Sequence, residues 1–157
     1  MESATPDFEA QLGVVGRQLG ARKLGYRLVV VPPGKRAWPY HCHHANEEMF
    51  LILKGEGTLR YAGATYPIQA GDLINIQPGP DTPHQIINTS TADLHYLAVS
   101  TMVEPDVMEY PDSNKVVVFA GVAPGGDNSQ RTFSLITKHD HATDYWDGEL
   151  DHQDSVV

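Results

Sequence analysis

The chain has 157 residues and a mass of 17.3 kDa, the size of one domain. With 41% apolar and 20% charged residues it has the composition of an ordinary globular protein with one sizeable core. Eleven Lys and Arg against twenty Asp and Glu leave a net charge of −9, which repels phosphate backbones and anionic lipid and argues against nucleic-acid and membrane partners.

Fourteen Gly and eleven Pro punctuate the chain heavily, which favours short strands over long helices. No apolar run approaches the roughly 20 residues that span a bilayer. The start, Met1-Glu2-Ser3-Ala4-Thr5, has neither a basic nor an apolar leader segment, and Cys42 is the single cysteine. Together these features predict a cytoplasmic protein without disulfides.

Residues 1–25 read as an N-terminal arm with at most one short helical turn. Tyr26 to Val31 predicts a first strand, stopped by Pro32-Pro33-Gly34. Met49 to Leu53 is apolar throughout, which predicts a strand covered on both faces. Turns at Gly55-Glu56-Gly57, Ala62-Gly63 and Gly71-Asp72 separate strands at Thr58–Tyr61, Tyr66–Ile68 and Leu73–Ile76. Pro78-Gly79-Pro80 ends the last of these, and Gln85–Ile87 and Leu94–Ser100 supply two more. Strands at 8- to 12-residue spacing predict an all-β sandwich or barrel with its core in 26–100. Val116–Phe119 and Thr132–Ile136 read as edge strands within a C-terminal extension, 101–157, that completes the barrel or a dimer interface. That extension ends in a charged tail around Tyr145-Trp146.

His41, His43 and His44 fall within four residues. On an extended strand positions i and i+2 share a face, so His41 and His43 offer two imidazoles to one side while Cys42 faces the other. Glu47-Glu48 follows, and His84 lies just beyond a proline-rich turn. Singly, such residues are ordinary surface groups. Together, between strands, they suit a divalent transition metal.

These residues carry a family resemblance. Gly34, then His41-x-His43-x4-Glu48-x6-Gly55, resembles the first motif of the cupin superfamily. Gly71-Asp72, Pro78-x-Pro80 and His84-x3-Asn88 resemble the second. The likeness covers about 26–100 and is to small single-domain bacterial cupins, a group often named as sugar-phosphate isomerases. It implies an antiparallel jelly-roll barrel (a double-stranded β-helix) in which His41, His43, Glu48 and His84 hold one metal ion, Fe, Mn, Ni or Zn. The chain departs from the family in having six residues between Gly34 and His41, and Asp81-Thr82-Pro83 before His84. On a straight strand Glu47 would share the His43 face. The family spacing instead implies a loop at 44–46 that turns Glu48 inward, leaving Glu47 as the fallback ligand or a proton-transferring residue.

Three neutral imidazoles and one carboxylate leave a divalent ion with charge +1 and open positions for a bidentate oxygen ligand. Tyr40, Phe50, Tyr61 and Tyr96 are expected on the pocket wall with Ile52, Tyr66, Gln85 and Ile87, although each also fits core packing. Arg60, or Lys54, would clamp a carboxylate or phosphate; a rim salt bridge is the plainer reading of Arg60. The resemblance implies a metalloenzyme acting on a small oxygenated molecule, first a sugar or sugar-phosphate isomerase. Cupin-type dioxygenation of an enediol or keto acid is the alternative, and a non-catalytic binding cupin the third reading. It also implies a homodimer paired through barrel edges and exchanged arms.

Overall fold

The computed structural model describes residues 6–149. It is all-β apart from one helical turn, α1 (Val15–Gln18), and three short 3-10 turns. Twelve strands follow in order: β1 (Gln11–Gly13), β2 (Leu24–Val31), β3 (Cys42–His43), β4 (Glu48–Lys54), β5 (Glu56–Tyr61), β6 (Ala64–Gln69), β7 (Leu73–Ile76), β8 (His84–Ile87), β9 (Leu94–Thr101), β10 (Asp106–Tyr110), β11 (Lys115–Ala120) and β12 (Phe133–Lys138). Every ladder is antiparallel. They form sheets ordered β1-β2-β9-β4-β7, β12-β11-β10-β3 and β6-β5-β8. No described helix is long and apolar enough to cross a membrane.

The expected closed barrel is a jelly roll whose sheets do not join into one continuous ladder. The reason is local: β3 is two residues long, and Pro39 just before it has no N–H to extend pairing. Only isolated bridges, His41 to His84 and Arg36 to Ile87, tie that seam to β8. At one end the five- and three-stranded sheets pack Val29, Val31, Ile52, Leu59, Ile68, Ile76, Ile86 and Leu94 into a dry core. At the other end the five- and four-stranded sheets diverge around a cavity of about 210 Å³.

Two connections show how the sequence sets this shape. Ala62 and Gly63 both take positive φ (48° and 82°), the two-residue turn that suits the twist of the β5–β6 hairpin. Gly55 has φ 88°, and a Cβ there would press on the Asp93 carbonyl, so only glycine lets β4 turn into β5. A bulge between Ile52 and Lys54 leaves Leu53 48% exposed, so β4 is not covered on both faces as its apolar run predicts. Gln11–Gly13, within the expected arm, pairs with β2 as an edge strand. Tyr145 and Trp146 meet edge to face, with ring centroids 4.8 Å apart, and stay exposed, away from the cavity. Residues 150–157 of the acidic tail lie outside the described residues.

Candidate metal centre

Strand alternation brings the first two imidazoles together. His41 and His43 face the cavity from either side of Cys42, which is buried on the opposite face with no disulfide partner. His84 opens β8 and bridges His41 through paired backbone bonds of 3.2 and 2.8 Å. The ring centroids lie 5.0 Å apart for His41 and His43, and 4.8 Å for His41 and His84.

Glu48 reaches the same face because residues 44–47 leave the strand. Asn46, 1% exposed, pins that loop with its whole amide. Its Nδ2 donates to the Val103 carbonyl and to Asp106 Oδ2, while its Oδ1 accepts from Val103 N and Thr101 Oγ1. The excursion turns Glu47 outward, where it accepts from Gln77 Nε2 at 2.9 Å. Glu48 then stands with Oε2 2.8 Å from His84 Nε2 and 3.6 Å from His43 Nε2.

The outer nitrogens decide what the inner ones can do. His41 Nδ1 faces the Pro39 carbonyl at 2.8 Å, His84 Nδ1 the Thr82 carbonyl at 3.2 Å, and His43 Nδ1 the Asp106 carboxylate at 2.6 Å. Each Nδ1 therefore donates, and in the neutral ring each Nε2 carries a lone pair. At His84 that lone pair meets a carboxylate oxygen, and both atoms are buried with no hydrogen-bond partner. Two acceptors at 2.8 Å require a proton or a cation between them. The donor set fits a borderline divalent ion such as Zn, Fe, Mn or Ni.

The electrostatics agree. Burial, and then the neighbouring imidazoles, push His41 down to about 4, so it stays neutral at pH 7. Burial pushes Glu48 up, but His84, His43 and His41 outweigh it and bring the carboxyl down to about 2. Burial also works against a charged His43, yet its bond to Asp106 raises it above the ordinary value. Asp106, fully buried, is held below the usual range because bonds from His43, Asn46 and Ala45 N overcome its own desolvation.

Phe50 and Tyr96 line the cavity, as does Gln85, which donates to the Trp38 carbonyl at 2.9 Å. Tyr40, Tyr61, Tyr66, Ile52 and Ile87 do not. Tyr40 is buried outside it, its hydroxyl accepting from Gly63 N at 3.0 Å. Arg60 lies over the Tyr40 ring and pairs with Asp112 through two bonds of 2.5 and 2.8 Å, the rim salt bridge. Lys54 is exposed. The spacing of the sequence pointed to none of Asp106, Tyr110 (stacked on His41 at 5.6 Å) and Arg27, which all face this end of the fold. A second grouping, Cys42, His44 and Glu109, lies on the outer side of β3 and β10, where His44 Nε2 bonds Glu109 Oε1 at 2.6 Å.

An antiparallel jelly roll with three imidazoles and a carboxylate gathered at one end is a β-protein whose side-chain cluster could hold a metal ion. Residues 27–100, a little under half of the chain, match the cupin domain. A crystal structure from Acidithiobacillus ferrooxidans, of a protein provisionally named a sugar phosphate isomerase, has a TM-score of 0.74 at 27% identity, covering 88% of this chain and 82% of that one. A cupin-superfamily sugar phosphate isomerase from Silicibacter pomeroyi shares the fold, with a TM-score of 0.74 at 22% identity over 92% and 90% of the two chains. The oxalate-binding protein of Thermotoga maritima is 39% identical over 69 residues, 44% of this chain and 54% of that protein. An uncharacterized protein of Methanocaldococcus jannaschii is 34% identical over 71 residues, 45% and 54% of the two. The chain thus spans about half the length of the curated relatives it matches, 54% in each case.

Proposed function

We propose that His41, His43, Glu48 and His84 hold one divalent transition metal, at which the protein binds a small oxygenated molecule through adjacent oxygens. The observation that carries this reading is the unpartnered, buried pair of Glu48 Oε2 and His84 Nε2 beside two further imidazoles. When bound, the metal supplies Lewis-acid polarisation of those oxygens. The protein's part is to exclude water with Phe50, Tyr96 and Met108 and to fix each imidazole through its Nδ1 partner.

The isomerase reading is supported by the Acidithiobacillus likeness, and a dioxygenase would use the same ligand types. Isomerisation also needs a group that moves a proton between neighbouring carbons. Glu47 faces solvent, and Glu48 is the only carboxylate among the described cavity-lining residues. Apart from His41, His43 and His84, which are assigned to the metal, the remaining titratable groups there are the phenols of Tyr96 and Tyr110, both pushed above their ordinary values chiefly by burial, and Arg27. That lining favours binding at the metal over proton transfer, in keeping with the oxalate-binding relative.

The first test is metal content by plasma mass spectrometry on untagged protein beside His43→Ala. About one transition-metal ion per chain, lost in the variant, is expected for a mononuclear site. Negligible metal in both proteins would remove the metal reading.

We also propose a homodimer. Leu28, Leu97, Leu51 and Leu73 lie in one register row across β2, β9, β4 and β7, on the face turned away from the core. Leu28 is 44% and Leu73 68% exposed, a contiguous apolar patch suited to a second copy. Light scattering is expected to give twice the 17.3 kDa chain mass, and Leu28→Lys with Leu73→Lys to give the monomer. A wild-type monomer would end this assignment.

A further inference from the structure

The cavity holds a guanidinium that no described residue pairs or hydrogen-bonds with. Arg27 follows the inward alternation of β2 with Val29 and Val31, but where they fill the core it lines the cavity. Its guanidinium is partly buried, with Cζ 5.7 Å from the Trp38 ring centroid. Among the described residues it makes no ion pair and no hydrogen bond. Desolvation lowers its pKa, while Glu48 is near enough for its charge to act in the opposite sense. A guanidinium partly withdrawn from water and left without an acceptor carries a desolvation cost that an anionic ligand would offset.

The chain makes room for this group. Gly125, at φ 81°, sits where a Cβ would overlap Arg27 Nη2, so a glycine backbone closes over the guanidinium. The other basic groups suggested by the sequence are committed elsewhere: Arg60 to Asp112, and Lys54 to solvent. With a divalent ion in place, the charges of Glu48 and Asp106 are set against it. Arg27 then remains the free charge of the lining.

The geometry points to Arg27 as the clamp for an oxyanion group of the bound molecule, a carboxylate or a phosphate, whose other oxygens face the His41–His43–Glu48–His84 cluster. This rests on the proposed site but is testable apart from its metal. The planar, two-pronged guanidinium suits bidentate pairing with either anion. The cavity of about 210 Å³ limits the ligand to one smaller than a drug-sized molecule.

Trp38 provides the readout. The chain has two tryptophans, and Trp146 is 72% exposed, so Trp146→Phe leaves fluorescence from beside Arg27 alone. In that background, oxalate, fructose 6-phosphate and neutral fructose are titrated into metal-loaded and chelator-treated protein, each as wild type, Arg27→Gln and Arg27→Lys. Loss of a charge-assisted hydrogen bond predicts that the anion that binds weakens about 10- to 100-fold in Arg27→Gln. Arg27→Lys should recover part of that loss, and metal content and the response to fructose should not change. Preference for oxalate assigns the clamp to carboxylates, and preference for the sugar phosphate to phosphates. Binding of an anion that is equal in wild type and Arg27→Gln overturns the inference, as does failure of both anions to bind wild type. Absence of metal from wild type overturns the metal reading, and the chelator-treated titration then judges Arg27 by itself.

Discussion

Asp106→Asn is expected to weaken metal binding about 10- to 100-fold, the usual effect of removing the partner that orients a metal-binding histidine. Three donors converge on this one carboxylate: His43 Nδ1 at 2.6 Å, Asn46 Nδ2 at 2.8 Å and Ala45 N at 2.9 Å. Asn has one acceptor oxygen and a donating amide, so at least one donor is left facing another. If the amide takes the His43 side, Nδ1 must give up its proton and accept. The proton then moves to Nε2, where it occupies the lone pair that ligation needs. Each buried donor left unsatisfied costs about 1–3 kcal/mol, so thermal stability falls as well. Competition with a chromophoric chelator measures the affinity, and a calorimetric scan with chelator present isolates the stability loss. An affinity equal to wild type would show that His43 does not depend on Asp106 for its tautomer.

Asp106 also shows where sequence reading stops. The strands announced themselves locally: Leu73–Ile76 is an apolar run between a Gly-Asp turn and a Pro-Gly-Pro stop, and it is observed with those bounds. His41 and His43 needed only the two-residue period of a strand. Glu48 needed a loop, and what holds that loop is Asn46 bonding to Val103 and Asp106, more than fifty residues away. No spacing near residue 46 encodes such a partner. The partner of Arg60 was hidden in the same way, since Asp112, which forms the rim salt bridge, sits on a later segment. Arg27 is different. It shares the inward register of Val29 and Val31, a local alternation that the spacing of the histidines and glutamates does not include. Asp106, Met108 and Tyr110 show the same alternation, but a five-residue strand with two acids lacks the apolar signal that marks a strand.

The distribution of charge explains why the site can be kept at one end of a single small domain. The three-stranded sheet gives the core Leu59, Ile68 and Ile86, whereas the seam beside β3 gives the histidines, Asp106 and Tyr110. Apolar packing therefore carries the fold away from the ionisable groups. The compensation of His43 by Asp106 is settled within the cavity end, where Glu48 and His84 also face each other.

That division predicts a large stability loss without loss of the site when Ile52 is cut to Ala. Ile52 is 1% exposed in the core cluster, and its backbone pairs with Asp72 and Gly71 at the β4–β7 end. Removing most of such a side chain leaves a void and costs about 2–5 kcal/mol. For a domain of this size each kcal/mol moves the melting temperature by about 2–4 °C, so a drop on the order of 5–15 °C is expected. Leu53→Ala is the control, because its 48% exposure on the bulge predicts a change within about 0.5 kcal/mol. Both scans are run with chelator, since a bound metal adds stability by mass action and would mask the difference. Ile52→Ala should still bind metal at the wild-type stoichiometry below its melting point, because β4 carries Glu48 at its opposite end. Equal losses for the two variants would mean that the inner and outer faces of β4 are packed alike. Loss of metal from folded Ile52→Ala would mean that the core and the site are one mechanical unit.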